Sequence, residues 1–314
     1  MTNVIETQNL SRSFGRTQAL AGVDLQVPEG AVYALVGANG AGKTTLIKVL
    51  MNIFPPTSGG ARVLGIDSGK VAGKVFTRIG YVSENQQFPD WMAAGEMLAY
   101  FRGFYPTWDR SLEAQLVRQF DLPLKRKLKH LSRGMRMKAA FASSLAYRPT
   151  LIVLDEPFSG LDPLVRDELV EGLIERAPET TIFLSSHDLA EIESFATHVG
   201  FLDSGRLLSS DEMSVLSNRF RAVTVTLAAP WTPPSRTPSS WLQLEAANSV
   251  VRFVDSNYDA AQSAASFAAV FPNARDIALD PMSLRAIFVS IAKSKRVPAD
   301  PQPGSANQVT ERPA

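Results

Sequence analysis

The chain has 314 residues with a hydrophobic fraction of 45%, which suffices for a buried core and excludes a chain that is disordered throughout. Its formal net charge of +1 gives no argument for nucleic-acid binding, which we do not expect. It contains no cysteine, so a disulfide framework, a thiolate metal site and a cysteine nucleophile are all excluded.

The N-terminal region carries no recognisable targeting signal. Residues 1–15 lack the apolar stretch of a signal peptide. Elsewhere, no segment approaches the roughly 18 consecutive apolar residues of a membrane-spanning helix. We therefore expect a cytoplasmic protein that reaches a membrane only through a partner.

The beginning of the chain predicts an α/β core with an antiparallel layer. Residues 4–5 and 19–27 are typical of short antiparallel strands, and the apolar run 31–36 is typical of a strand buried on both faces. A helix is predicted over residues 44–54, followed by a Pro/Gly-rich loop. Further strands are predicted over residues 62–64 and 78–82.

A glycine-rich segment directly after the buried strand carries the first chemical motif. It matches the phosphate-binding pattern G-x-x-x-x-G-K-[ST] and consists of Gly37, Ala38, Asn39, Gly40, Ala41, Gly42, Lys43, Thr44 and Thr45. Glycines permit backbone conformations that let the loop N–H groups surround phosphate oxygens at the start of a helix. Lys43 would then add a positive charge, and Thr44 would offer a hydroxyl to Mg²⁺. A turn that binds nothing is the alternative.

Between residues 89 and 148 the apolar residues take helical spacing, which predicts a helical insertion between two halves of the α/β core. We place this helical subdomain at about residues 88–148. Inside it, the sequence Leu-Ser-Arg-Gly-Met at 131–135 opens a helix predicted over 136–147. Ser132 suits the N-cap, and a hydroxyl at a helix N-terminus can bind an anion. An ordinary capped helix is the alternative.

Two carboxylates follow the next buried strand, which is predicted over residues 151–154. Asp155 offers oxygen ligands to Mg²⁺, and Glu156 could orient or deprotonate a water molecule that attacks a phosphate. A strand that merely ends in a solvated acidic turn is the alternative. The chain then passes through a loop at 159–162 to a helix predicted over 163–176.

A third core strand is predicted over residues 181–185, and a helix over 188–197. The carboxyl ends of parallel strands face the ligand crevice of such a sheet, so His187 could hydrogen-bond a phosphate there. A structural role is the alternative for this histidine. It is also our interpretation of His130 and His198.

After residue 222 the pattern changes again and predicts a small α+β accessory domain over residues 223–293. Its strands are predicted over 223–227, 250–254 and 276–279, and its helices over 260–271 and 281–293. A Pro/Ser/Thr-rich loop is predicted at 230–240. The polar, proline-rich residues 294–314 are predicted to be disordered.

The order of these motifs resembles that of the nucleotide-binding subunit of an ATP-binding cassette (ABC) transporter, of the bacterial exporter type with a separate permease chain. The resemblance covers residues 3–222, within an ATPase domain placed at 1–222. It implies an α/β fold: a P-loop NTPase core with a mixed, mainly parallel sheet, an antiparallel β layer and a helical subdomain, plus the small C-terminal α+β appendage. It also implies hydrolysis of ATP with Mg²⁺ to power export through the permease.

The resemblance carries roles onto individual residues. Those expected to be catalytic are Lys43, Glu156 and His187. Those expected to hold Mg²⁺ are Thr44, Glu84 and Asp155. Those expected to contact ATP are the loop residues 37–45 together with Phe14, Ser132, Gly134 and Asp162. Phe14 would stack on the adenine, and a core phenylalanine is the alternative.

Two regions depart from the family pattern. The signature, usually LSGGQ, reads LSRGM here, with Arg133 and Met135 in place of glycine and glutamine. A loop that in the family carries a glutamine has Glu84 instead. A carboxylate can still bind Mg²⁺, although it brings a negative charge and no hydrogen-bond donor. The alternative is that Gln86 or Gln87 takes this role.

The chain holds one copy of the motif set, so the resemblance implies a head-to-tail homodimer, or a heterodimer with a similar subunit. Each ATP would lie between the phosphate loop of one subunit and Ser132 and Gly134 of the other. The helical subdomain would contact an integral membrane permease at the inner face of the cell membrane. Its aromatic residues, of which we expect at least half to be core, are Trp91, Phe101, Phe104, Tyr105 and Trp108.

Two other functions stay open at this point. A soluble ABC ATPase acting on a nucleic acid or ribosomal partner usually has two cassettes or long coiled coils, and the sequence has neither. A regulatory module that binds ATP without turnover would not need Glu156 and His187. A neighbouring gene for a membrane protein would distinguish a transporter from both.

Overall fold

The computed structural model describes residues 2–234 and 237–295, so the predicted disordered tail lies outside the described residues except for residues 294–295. The described strands are β1 (Asn3–Phe14), β2 (Thr17–Val23), β3 (Gln26–Pro28), β4 (Val32–Val36), β5 (Ser58–Val63), β6 (Ile66–Asp67), β7 (Ile79–Ser83), β8 (Leu151–Asp155), β9 (Thr181–Ser186), β10 (His198–Asp203), β11 (Arg206–Glu212), β12 (Arg221–Leu227), β13 (Trp241–Ala247), β14 (Val250–Asp255) and β15 (Ala274–Pro281). The described helices are α1 (Lys43–Leu50), α2 (Ala94–Arg102), α3 (Arg110–Gln119), α4 (Arg133–Leu145), α5 (Pro163–Ile174), α6 (Met213–Arg219), α7 (Ala260–Val270) and α8 (Leu284–Lys295).

A six-stranded sheet with the order β11-β10-β4-β9-β8-β7 forms the centre of the fold. All its neighbouring pairs are parallel except β10 with β11. Every residue of β4, β8 and β9 is buried, as expected where layers cover both faces of a parallel sheet. The register pairs Asp155 with Ser185 and Val36 with Ser186, so the carboxyl ends of these three strands meet at one edge.

The antiparallel layer has the order β2-β1-β5-β6, with β3 also pairing with β1. Apolar side chains of this layer, of α1 and of one face of the central sheet form one buried cluster, which includes Leu10, Leu20, Leu46 and Leu35. Fully burying one such side chain stabilises folding by about 1.5–3 kcal/mol. This cluster therefore fixes the segment between β4 and α1, where the phosphate-binding motif lies.

The helical segment consists of α2, α3 and α4 and packs on the opposite side of the central sheet. Its buried side chains, among them Leu116, Phe120 and Phe141, join the larger core cluster. Within residues 2–234 and 237–295, no helix combines the length and apolar character needed to cross a bilayer. The predicted α/β class, with a mainly parallel core, an antiparallel layer and a helical segment, is confirmed.

The C-terminal part is a four-stranded antiparallel sheet with the order β13-β14-β12-β15. An aromatic cluster around Trp241 lies between this sheet and α7. In contrast, α8 turns back, and its residues Leu284, Ile287 and Ile291 belong to the core cluster of the central sheet. The C-terminal part is therefore held to the rest of the protein by an apolar contact, and β12 begins at Arg221.

One predicted element is wrong and several were missed. The predicted helix at 188–197 contains only a 3₁₀ turn, Leu189–Glu191. Its apolar residues have helical spacing, but the N–H of Thr197 donates to the carbonyl of Val32, so the chain has left helical hydrogen bonding at this residue and enters β10. The elements that the sequence did not predict are β6, β10, β11, α6 and β13.

We expect the change Trp241→Ala to destabilise the C-terminal part strongly. The indole is 7% exposed and stacks on Phe253 at a centroid distance of 4.2 Å and on Phe271 at 5.5 Å. Truncating such a side chain costs about 3–5 kcal/mol of free energy of unfolding, which urea denaturation would measure. The exposed Val289→Ala is the control and should change this free energy by less than about 0.5 kcal/mol. Equal effects of the two changes would contradict a core role for Trp241.

Candidate functional site

The glycines of the phosphate-binding motif lie where backbone segments approach closely. A Cβ added to Gly37 would come within 2.2 Å of the carbonyl oxygen of Leu202, which no side chain tolerates. Gly42 has a φ of +110°, and a Cβ there would lie 2.5 Å from the carbonyl oxygen of Ala19. The loop can therefore take its conformation only with glycine at these positions, and it leads directly into α1.

Lys43, the first residue of α1, is buried with 5% exposure and makes three contacts. Its Nζ donates hydrogen bonds to the carbonyl oxygens of Gly37 at 2.6 Å and Ala38 at 3.2 Å. It also forms an ion pair with Oε1 of Glu156 at 3.0 Å. A buried ammonium needs such partners, and a phosphate group could replace the carboxylate among them.

Glu156 connects Lys43 to His187. Its Oε2 lies 2.7 Å from Nδ1 of His187, and its N–H donates to the hydroxyl of Ser185 at 2.9 Å. Its φ is +50°, an unusual backbone conformation for a residue other than glycine. Such backbone outliers cluster at functional sites, where the surrounding structure holds them in place.

Asp155 lies beside the phosphate loop and is held by two hydroxyl groups. Thr44 Oγ1 and Ser185 Oγ donate to its Oδ1 at 3.0 and 2.8 Å. Burial raises the pKa of the Asp155 carboxyl above its ordinary value, and the two hydrogen bonds partly offset this. A divalent cation beside this carboxylate would favour its charged form.

The donor set suits Mg²⁺. Within the described part of the chain, no cluster of three or more carboxylate, imidazole or thiol groups could hold a metal by itself. Mg²⁺ usually binds one or two carboxylates together with substrate phosphates and water. The adjacent oxygens of Thr44 and Asp155 fit that pattern.

Lys43, Thr44 and Glu156 line a cavity of about 210 Å³, which we call the phosphate cavity; Asp155 and His187 are not among its lining residues. Its lining residues are Ala19, Asn39, Gly40, Ala41, Gly42, Lys43, Thr44, Thr45, Glu84 and Glu156. Glu84 thus faces the same space as Lys43, whereas Gln86 and Gln87 do not line it. Gln86 instead accepts hydrogen bonds from the N–H and hydroxyl of Ser83. The position therefore favours Glu84 over its two neighbours.

The titration of His187 should report its contact with Glu156. The hydrogen bond to this carboxylate raises the pKa of the imidazole above its ordinary value, although burial opposes the shift. Because the folded-state pKa is raised, the contact contributes stability that is complete below the unfolded pKa and is lost as the pH rises through the folded value. NMR titration without nucleotide should give a lower His187 pKa in Glu156→Gln than in the wild type.

The protein has three histidines, so the resonance must be assigned with His187→Gln. The matched control is Glu171→Gln, which removes an exposed carboxylate on α5. An unchanged His187 pKa in Glu156→Gln would contradict the contact.

Ser132, Gly134 and Asp162 do not line the phosphate cavity of their own chain. Ser132 and Asp162 are exposed N-caps of α4 and α5, and their side chains accept from the N–H groups of Met135 and Val165. Gly134 is buried, and a Cβ there would come within 3.0 Å of Val165. The starts of α4 and α5 therefore pack against each other and lie outside the phosphate cavity that contains Lys43.

Phe14 is also separate from the cavity. It is 41% exposed, which argues against the alternative of a core phenylalanine. The guanidinium of Arg12 lies 4.5 Å from the centre of its ring, and Phe54 meets it edge-on at 5.3 Å. A planar base could stack on such a half-exposed ring, so adenine binding by Phe14 stays a prediction.

The sequence did not predict contacts with the site for three residues that make them. Ser185 joins Asp155 to Glu156, and its place opposite Asp155 in the β8–β9 register is the signal that could have identified it. Arg133 and Ser159 both contact Glu84. No sequence pattern links these two residues to Glu84, because the contacts span 49 and 75 positions.

Known proteins resemble this chain in sequence. Residues 20–159 match the family model described as ABC transporter. The chain is 34% identical over 232 residues to the bacitracin transport ATP-binding protein BcrA of Enterococcus faecalis, covering 71% of this chain and 74% of that protein. It is also 34% identical to the daunorubicin/doxorubicin resistance ATP-binding protein DrrA of Streptomyces peucetius, covering 66% of this chain and 65% of that protein.

The fold has a matching solved structure. The ATP-binding subunit of an ABC transporter superposes with a TM-score of 0.61 at 28% identity and covers 67% of this chain and 90% of that chain. Family match, sequence relatives and fold agree with one another. The chain therefore belongs to the ABC transporter family, as an ATP-binding subunit that hydrolyses ATP to power transport.

Proposed function

We propose that the ATP phosphates occupy the phosphate cavity and that Lys43, Glu156 and His187 carry the hydrolysis. The observation that carries this proposal is the continuous contact from Lys43 through Glu156 to His187. A γ-phosphate on the loop N–H groups would compete with Glu156 for the ammonium of Lys43. Glu156 would then be free to accept a proton from the attacking water, while His187 holds its other oxygen.

Thr44, Asp155 and Glu84 are the residues that would hold Mg²⁺. The ion supplies charge neutralisation of the phosphate oxygens when it is bound. Ser185 positions Asp155 for this role by donating to Oδ1. Thr44 donates to that same oxygen, and the lone pairs of its hydroxyl oxygen could bind the ion while this hydrogen bond is kept.

We further propose that the subunit works on an integral membrane permease and supports export from the inner face of the cell membrane. The named resistance function of DrrA and the bacitracin transport of BcrA support this direction. We also propose a division into domains: an ATPase domain (1–222) that includes the helical subdomain (88–148), and an accessory domain (223–293). This division is supported by the strands, since β12 to β15 form a sheet of their own, separate from the central sheet.

An exposed aromatic surface of the helical segment is the proposed permease contact, and we define it as Trp91, Tyr100 and Phe104. These side chains are 68%, 56% and 59% exposed. The rings of Tyr100 and Phe104 pack edge-to-face at 5.0 Å. Large exposed aromatic side chains such as these, two of which pack together, are typical of protein interfaces. The other aromatic residues of this region are Phe101, Tyr105 and Trp108, and each is half-buried. The expectation that at least half of the aromatic residues are core therefore holds only in part.

Co-expression with the membrane protein encoded by a neighbouring gene tests the proposal. The two chains should co-purify in detergent, and the membrane protein should change the rate of Mg²⁺-dependent ATP hydrolysis. Trp91→Ala combined with Phe104→Ala should weaken co-purification and preserve the hydrolysis rate of the isolated subunit. Ile174→Ala is the matched control, since it truncates an exposed apolar side chain on α5.

Lys43→Ala separates nucleotide binding from partner binding. Without the ammonium, ATP affinity should fall by about 10-fold or more, because a charge-assisted contact to phosphate is lost. Co-purification with the membrane protein should persist. Retained ATP affinity in Lys43→Ala would overturn the phosphate cavity as the nucleotide site.

A further inference from the structure

Glu84 and Arg133, two residues at which the sequence departs from the family pattern, contact each other. Nη2 of Arg133 lies 3.2 Å from Oε1 of Glu84. The hydroxyl of Ser159 donates to the same oxygen at 3.1 Å. The loop after β7, the start of α4 and the loop after β8 therefore meet at one carboxylate oxygen.

The loop after β8 leaves room for this arrangement. Gly160 has a φ of +65°, and a Cβ there would lie 3.1 Å from Nη1 of Arg133. The guanidinium thus lies against the backbone of Gly160 while it reaches Glu84. Side-chain exposures of 49% for Arg133 and 38% for Glu84 mean that this ion pair adds little to folding stability. We therefore consider its effect on ligand binding in the phosphate cavity.

Glu84 lines the phosphate cavity, and Arg133 does not. A free carboxylate at that position would repel the phosphates of ATP, because like charges at close range raise the free energy of binding. Paired with Arg133, the carboxylate belongs to a neutral pair, comparable in charge to the neutral glutamine for which Glu84 stands.

We propose that Arg133 is a positioning residue that holds and neutralises the Glu84 carboxylate at the edge of the phosphate cavity, so that the Arg133–Glu84 pair does the work of a neutral amide. The inference rests on the proposed placement of the ATP phosphates against Lys43. In this proposal Arg133 affects ATP binding indirectly, through the Glu84 carboxylate of its own subunit.

The test measures the affinity for ATP itself, in EDTA at low salt, by calorimetry, in a cycle of two changes. Arg133→Gln should weaken binding by about fivefold, because Glu84 is then unpaired beside the phosphates. Glu84→Gln should change the affinity by less than about twofold, because the unpaired Arg133 is exposed and outside the cavity. The double variant should return to within about twofold of the wild type.

Two further readouts follow from the charge argument. The deficit of Arg133→Gln should shrink as salt is added, because counterions screen the repulsion. It should shrink again with Mg²⁺, whose charge offsets that of Glu84. Arg133→Lys keeps the charge and should bind ATP nearly as the wild type does. Arg148→Gln, which breaks the ion pairs of an arginine of similar exposure with Asp109 and Glu179, is the control and should change nothing.

Arg133→Gln could weaken ATP binding by the same factor in the wild type and in the Glu84→Gln variant. That result would overturn the proposal, because Arg133 would then act independently of Glu84, for example on the nucleotide of a second subunit. No loss from Arg133→Gln would overturn it as well. Failure of the wild type to bind ATP would instead refute the phosphate cavity as the nucleotide site, so the two failures are distinguishable.

Discussion

Glu156→Gln should retain ATP binding and lose ATP hydrolysis by about 10²–10⁴-fold, the usual contribution of a general base. The amide keeps the shape of the side chain but cannot accept the proton of an attacking water. It also cannot form the ion pair with Lys43, so ATP no longer competes with a carboxylate for the ammonium. We therefore expect an affinity for ATP that equals or exceeds that of the wild type.

Steady-state phosphate release measures the rate, and calorimetry measures the affinity. Glu171→Gln, the same chemical change on the exposed face of α5, should leave both quantities unchanged. Hydrolysis by Glu156→Gln at the wild-type rate would rule out Glu156 as the base. Simultaneous loss of binding would indicate instead that the change disturbs the strained backbone at this residue, where φ is +50°.

The parts of the site that the sequence predicted follow from local patterns and one rule of sheet geometry. The phosphate loop, Asp155 and His187 each come directly after a strand of buried apolar residues. Because parallel strands end at one edge of the sheet, these segments had to meet, and the contact of Glu156 with both Lys43 and His187 agrees with that.

What the sequence could not predict depends on contacts between distant segments. The Arg133–Glu84 pair joins residues 49 positions apart, and neither residue has a local pattern that requires the other. The packing of α8 on the central core likewise requires the topology of the C-terminal sheet. The β10–β11 hairpin was missed despite its turn at Ser204 and Gly205, because glycine and charged residues interrupt the apolar alternation of its strands.

The wrong helix at 188–197 shows the limit of apolar periodicity. Leu189, Ile192 and Ala196 are all buried at helical spacing, yet they cover the core from a turn and irregular segment. The spacing of apolar residues indicates which side chains face the core. The backbone conformation depends in addition on the hydrogen bonds of the strand that follows. Here the hydrogen bond from the N–H of Thr197 to the carbonyl of Val32 directs the chain into β10 instead of a helix.

The largest structural effect is expected from association of two subunits. Ser132 and Asp162 are exposed at helix starts outside the phosphate cavity of their own chain, although the family resemblance expects both to contact ATP. A second subunit would bring Ser132 to the nucleotide, with the N–H groups at the start of α4 directed at phosphate. In the Glu156→Gln background, ATP should therefore double the mass measured by light scattering.

Replacing Ser132 with a long side chain should abolish this doubling by holding the subunits apart. Both Ser132→Arg and Ser132→Glu should act in this way, so that attraction or repulsion of the phosphates cannot by itself explain the result. Loss of the N-cap costs about 1 kcal/mol of stability, which the fold should tolerate. Ser111→Arg, at an exposed serine near the start of α3, is the control and should still form the dimer. A protein that stays monomeric at saturating ATP before Ser132 is changed would contradict a site shared between two subunits.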